Sequence, residues 1–228
     1  YLTIADDARI RQAVPTLQNL LKNGNKLIVV SHLGRPKGTP DQKYSMRIVC
    51  DQMHEYFPNN PITLIDDFLT EPAATFKHQS QDEIFVLENS RFYPGEKTND
   101  TEFAKKMAEL AEVFVNDAFG VCHRADASVV GVTKFLPSYG GLLLKKEVEM
   151  LSKALHKPEK PFVAIIGGAK IETKINVLDR MMELADHLVI AGALANTFLY
   201  AQGIDVGASL VEKDKKELAQ KLLFKAAQ

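Results

Sequence analysis

The sequence predicts an α/β protein built as two Rossmann-like domains with parallel sheets, the second incomplete within the chain. Three observations carry this. Four short apolar runs, at 27–30, 84–87, 113–115 and 162–166, are bounded by turn residues and alternate with helical patterns, as strands of a parallel sheet do. Each run ends in a loop with basic side chains, mostly beside glycine. The stretch His156-Lys157-Pro158-Glu159-Lys160-Pro161 reads as a linker before the fourth run. The expected division is a domain over 1–140, an interdomain helix and linker over 141–157, and half of a second domain over 158–228.

The elements follow in order. Asp6 and Asp7 can cap a helix in which Ile10, Val14, Leu17 and Leu21 recur at helical spacing. Pro15 is expected near its first turn, and Gly24 ends it. A strand at 27–30 follows. Tyr44-Ser45 opens a helix carrying Met46, Val49, Met53 and Phe57 on one face, and 62–65 and 84–87 read as strands. Asn99 or Asp100 caps the helix of Phe103, Met107, Leu110 and Ala111, and the strand at 113–116 closes the first unit. Residues 141–156 read as a helix. In the second series the strand from Phe162 leads to a helix with Ile175, Leu178, Met182 and Ala185, then a strand at 188–190, then a helix at 193–201 stopped by Gly203. A further helical pattern is still running at Lys225-Ala226-Ala227-Gln228.

Composition narrows the function. The 228 residues are 46% hydrophobic with a net charge of -1, so a core is available and the bulk surface attracts neither nucleic acid nor anionic membrane. Cys50 and Cys122 give neither a disulfide framework nor metal-type spacing, which fits a cytoplasmic location. No apolar stretch reaches the roughly 18 residues of a membrane helix. Ligands of an open α/β sheet bind outside the carboxyl ends of the strands. The arrangement is therefore expected to gather His32, Arg35, Arg91, His123, Arg124 and Lys170 on one rim, suited to phosphate-like anions.

Each loop admits a plainer reading. Gly167-Gly168-Ala169-Lys170 precedes a helix, where free N–H groups attract anions. Lys170 and Lys174, four apart, would share one face of its first turns, against the macrodipole. A glycine turn with solvated lysines is the alternative. Arg9 is likewise disfavoured in a first helical turn, with Arg11 nearby as the solvated one. Glu88 and Arg91 could pair with each other, and Asp117 with Arg124. Cys122 beside His123 suggests a thiol nucleophile, but adjacent loop residues rarely orient a base. No acidic group has metal-ligand spacing.

Taken together, Ser31-His32-Leu33-Gly34-Arg35-Pro36, Leu87-Glu88-Asn89-Ser90-Arg91-Phe92, Val115-Asn116-Asp117-Ala118-Phe119-Gly120 with His123-Arg124, and Gly167-Gly168-Ala169-Lys170 with Lys174 closely resemble phosphoglycerate kinase along the whole chain. The resemblance implies reversible phosphoryl transfer between 1,3-bisphosphoglycerate and ADP, giving 3-phosphoglycerate and MgATP, in a monomeric cytoplasmic enzyme of glycolysis. It implies that Ser31, His32, Leu33, Gly34, Arg35, Arg91, His123 and Arg124 bind the triose phosphate. It places Arg9 on the transferring phosphoryl group and Gly168, Ala169, Lys170, Lys174 and Gly192 on the nucleotide, with Arg9, Lys170 and Lys174 catalytic. Ala191-Gly192-Ala193 stands where the family has three glycines. The family's first strand would lie before Tyr1. The later nucleotide half, with its magnesium-binding aspartate loop, would lie beyond Gln228. A fragment so cut, without a metal site of its own, is expected to be inactive; a non-catalytic phosphosugar- or nucleotide-binding module is the other alternative.

Overall fold

The computed structural model describes residues 3–36 and 38–228. The chain divides into two compact units between Glu149 and Met150. In the first, α1 (Ala8–Lys22), β1 (Leu27–Val29), α2 (Arg47–Met53), β2 (Ile62–Ile65), α3 (Ala73–His78) and β3 (Ile84–Leu87) are followed by α4 (Pro94–Thr98), α5 (Thr101–Ala108), β4 (Phe114–Asn116) and β5 (Ser138–Gly140). The helix α6 (Leu142–His156) carries the chain across the division.

The parallel pairing expected from the apolar runs is present, but the runs do not form one sheet. β1, β3 and β2 make a parallel sheet in that order, β4 pairs with β5, and the fourth run pairs within the second unit. The three sheets are hydrogen-bonded separately, so the single rim expected from the sequence is not a feature of one sheet. β5 escaped the sequence reading because its three residues, Ser138-Tyr139-Gly140, are all exposed and show no apolar run.

β3 is buried along its whole length. Its alternating side chains serve two cores, as a strand's period of two requires. Ile84 and Val86 pack with Val14, Leu27, Met46, Cys50, Met53, Phe57 and Leu64. Phe85 and Leu87 pack with Ile65, Phe68, Phe103, Ala104, Met107 and Ala127. α5 begins as expected, with the Asp100 carboxylate accepting from the Phe103 amide at 2.8 Å. α1 begins differently: Asp6 accepts from the Ala8 amide at 2.9 Å, and Asp7 makes no capping bond. The Asp7 carboxylate accepts instead from the Tyr56 hydroxyl and pairs with Arg11 at 3.4 Å. Pro15 lies in the interior of this fifteen-residue helix rather than near its first turn. It leaves one i→i−4 bond unmade, and tertiary packing of Val14 and Thr16 holds the helix through it.

The second unit holds β6 (Val163–Gly167), α7 (Ile175–Leu184), β7 (His187–Ala191), α8 (Ala193–Ala201) and α9 (Lys216–Ala226). Its core is Ile171, Leu178, Leu194, Phe198, Ala201, Ala219 and Leu222. Lys170 lies before any helical turn, and Lys174 ends a short 3-10 turn that leads into α7. The two lysines therefore do not share a helix face, because the chain after Gly168 runs irregularly for several residues before its first turn closes.

Candidate anion-binding site

Strand order builds the first cluster. β1 and β3 are neighbours, so the loops leaving their carboxyl ends meet, and the Ser90 amide donates to the Ser31 carbonyl at 3.1 Å. Asn89, fully buried, ties these loops to a third. Its Nδ2 donates to the Leu33 carbonyl at 2.8 Å and the Tyr44 carbonyl at 2.9 Å, while its Oδ1 accepts from the Arg91 amide at 3.1 Å. Gly34 adopts φ +64°, and a Cβ there would lie 2.3 Å from the Tyr44 ring. Only glycine fits both the left-handed backbone and that contact. The Gly34 carbonyl in turn accepts from Arg91 Nη1 at 2.9 Å.

Neither plain alternative for the arginines holds. Glu88 accepts from the Ser45 hydroxyl and from the Met46 and Asn89 amides, each at 2.7 Å, and does not pair with Arg91. Asp117 accepts from the Leu144 amide at 3.0 Å, in the first turn of α6, and does not bridge to Arg124. The arginine ion pairs among the described residues are those of Arg11, Arg47 and Arg180. Arg9, Arg35, Arg91 and Arg124 have no carboxylate at ion-pair distance among those residues.

The electrostatics of the cluster follow from that. Burial pushes the His32 imidazole down to about 4, and the Arg91, Arg124 and Arg9 charges add to the effect against an opposing Asp126. Arg91 is itself held below its ordinary range by burial and then by Arg124, with Arg35 also contributing. His32, Arg9, Arg35, Arg91, Arg124 and Asp126 thus form one group whose charges interact. Arg91 Nε and Arg124 Nη1 are buried and lack a hydrogen-bond partner among the described residues. Arg124 Nε donates to His123 Nε2 at 3.3 Å. Arg91 is buried and Arg124 half-buried, while Arg9, Arg35 and His123 are exposed. Ser31 and Leu33 enter through backbone carbonyls that hold neighbouring loops. Crowded cations with unused donors and a neutral imidazole make a site for an anion.

The second cluster lies in the second unit. Gly192 has φ +67° and ψ −160°, a region essentially closed to side chains. A Cβ there would lie 3.1 Å from the Gly168 carbonyl oxygen. The Leu194 amide, in the first turn of α8, donates to that oxygen at 2.8 Å. Lys174 folds back over the same glycine, its Cε 3.4 Å from where a Gly168 Cβ would be. Gly168, Lys174 and Gly192 are thereby brought together. Ala169 and Lys170 stay in the exposed loop between them. Glu212 secures that loop from behind: its carboxylate accepts from the Ile171 amide at 2.7 Å and its own amide donates to Thr197 Oγ1 at 3.2 Å.

Three residues that shape the sites were not picked out by sequence reasoning. Asn89 stood inside a recognised motif, but its side-chain bonds span 45 and 56 residues and leave no local trace. Glu96 and Glu212 lie outside every recognised motif, and their partners at Ser128, Ile171 and Thr197 are 15 to 41 residues away. Cys122 is exposed with its Sγ near the Ala118 carbonyl, and Cys50 is buried with its thiol pushed up to about 11, chiefly by burial; no base orients either as a nucleophile.

Known proteins resemble this chain along nearly its whole length. A family model described as phosphoglycerate kinase matches residues 2–228. The chain is 48% identical over 223 residues to phosphoglycerate kinase of Desulforudis audaxviator, covering 98% of this chain and 57% of that one. It is 49% identical over 223 residues to a chloroplastic phosphoglycerate kinase of Chlamydomonas reinhardtii, covering 97% and 48%. Among solved structures, phosphoglycerate kinase from Coxiella burnetii superimposes with a TM-score of 0.82 at 40% identity, covering 99% of this chain and 57% of that one. That from Pyrococcus horikoshii gives 0.83 at 27% identity, covering 97% and 58%. The chain spans about half the length of the curated relatives it matches.

Proposed function

We propose, from the premise that the chain belongs to the phosphoglycerate kinase family, that its two clusters hold the two substrates of a phosphoryl transfer. The reaction is the reversible exchange between 1,3-bisphosphoglycerate and ADP, with a carboxyl group as acceptor in the reverse direction. The first cluster takes the triose phosphate. Arg91 and Arg124 donate to its phosphate, His32 presents a neutral imidazole, and Arg35 and His123 complete the rim. Arg9, exposed at the start of α1, supplies positive charge for the transferring phosphoryl group, whose transition state spreads negative charge over its oxygens. Gly168, Ala169, Lys170, Lys174 and Gly192 receive the nucleotide phosphates, with close backbone approach at the glycines and two lysine charges above. One observation carries the reading: Arg91 Nε and Arg124 Nη1 are buried without hydrogen-bond partners among the described residues, in a cluster that already repels itself.

Magnesium belongs to this reaction as the partner of the nucleotide. Among the described residues no group of three or more His, Cys, Asp or Glu side chains is placed to hold a metal. We propose that the 228 residues alone bind both ligands without turnover, because in-line transfer also requires the nucleotide charge to be neutralised. We further propose a monomer in a reducing compartment, the cytoplasm, in keeping with two free thiols. No helix among the described residues is long and apolar enough to cross a membrane.

Calorimetric titration of the chain with 3-phosphoglycerate and with MgADP tests the assignment. Arg91→Ala should weaken 3-phosphoglycerate by at least about tenfold and leave MgADP unchanged, and Lys174→Ala should do the reverse. Swapped effects, or no heat with either ligand, would sink it.

A further inference from the structure

Glu96 is buried to 2% exposure at the start of α4. Its partners are two serines. Oε1 accepts from the Ser90 hydroxyl at 3.1 Å and the Ser128 hydroxyl at 2.5 Å, and Oε2 accepts from the Ser128 amide at 3.0 Å. Ser90 directly precedes Arg91. Ser128 lies in the π-helical turn Ala127–Gly131, which follows the loop of Arg124. One carboxylate therefore joins the two segments that carry Arg91 and Arg124.

A mere link between two hydroxyls does not call for a charge. Burying a carboxylate without a salt-bridge partner is costly, and three neutral donors offset only part of that cost. The charge has a use in the repulsion among Arg91, Arg124 and Arg35: Glu96 is one of two acids, with Asp126, whose field favours the Arg91 cation. We propose that Glu96 is a positioning residue of the anion site, which sets the spacing of Arg91 and Arg124 and holds Arg91 over a buried negative charge. This rests on the reading of that cluster as the triose-phosphate site.

Glu96→Gln tests it sharply. If the amide oxygen keeps the two serine hydroxyls, its NH2 faces the Ser128 amide, donor against donor. Ser128→Ala removes one hydroxyl only and serves if the first variant does not fold. Leu64→Ala, in the other core of the unit, reports what general destabilisation does. Each variant of the chain is titrated with 3-phosphoglycerate and with MgADP, and the side-chain Nε–H NMR signals of Arg91 and Arg124 are followed without ligand. Glu96→Gln and Ser128→Ala should weaken 3-phosphoglycerate by about tenfold, shift both arginine signals and spare MgADP. Leu64→Ala should stay within about twofold. Unmoved arginine signals with unchanged affinity would overturn the proposal, as would an equal loss in Leu64→Ala. If the unsubstituted chain does not bind 3-phosphoglycerate, the triose-phosphate reading fails. The unliganded arginine signals then still decide whether Glu96 sets their geometry: unmoved, they overturn it.

Discussion

Replacing Asn89 by alanine should unfasten the first cluster before any ligand is present. The side chain makes three hydrogen bonds, two as donor and one as acceptor. Its loss leaves the Leu33 and Tyr44 carbonyls and the Arg91 amide without partners. An orphaned buried group costs about 1–3 kcal/mol. Leu33 and Tyr44 are only half-buried, so water can reach part of what is lost, and the sum falls at about 3–5 kcal/mol. That is a large share of the stability of a small unit. Asn89→Asp should cost at least as much, since it sets a carboxylate against two carbonyl acceptors while keeping the bond from Arg91. Urea unfolding followed by circular dichroism, with one transition fitted per unit, would measure both. The loss should fall on one transition alone. A cost below about 1 kcal/mol for Asn89→Ala would show that the loops are held by something else, and that the pre-formed site is not Asn89's work.

Two further outcomes follow from the same geometry. His32 stays neutral in the folded chain down to about pH 4, whereas the unfolded histidine takes up a proton near 6.5. Acid therefore favours unfolding across that window, and stability should fall as pH drops from 6.5 to 4, with solvent around the half-buried ring softening the slope. His32→Asn should flatten that part of the curve, and parallel curves for the two proteins would contradict it. Gly192→Ala should destabilise the second unit by about 2–4 kcal/mol, from a disallowed backbone and a Cβ against Gly168, measurable as a lower unfolding midpoint with Asn89-linked contacts untouched; an unchanged midpoint would refute it.

Much of the fold was legible because its signals are local. The apolar runs, Gly24 and Asp100 each act within a few residues, and α8 was read with its full bounds. Pro15 misled because propensity weighs a proline by itself, while the packing of Val14 and Thr16 outweighs one missing bond. β5 was invisible because an exposed three-residue strand is defined only by its partner. The separation of β4 and β5 from the first sheet was also out of reach, since strand order depends on contacts between distant segments. At the site, the charged side chains announced themselves by type. The groups that aim them did not: Asn89, Glu96 and Glu212 work through bonds to residues far along the chain or to backbone groups that carry no sequence identity.

The two cysteines give the chain an asymmetry of practical value. Cys50 is sealed in the core with a thiol that resists ionisation, while Cys122 is exposed and adjoins His123 and Arg124. Alkylating reagents act on accessible thiolates, so a maleimide dye would attach at one position without any engineering of the sequence. That position borders the ring of positive charge. A fluorophore there would sense occupancy of the neighbouring loops directly, turning a structural accident into an optical reporter.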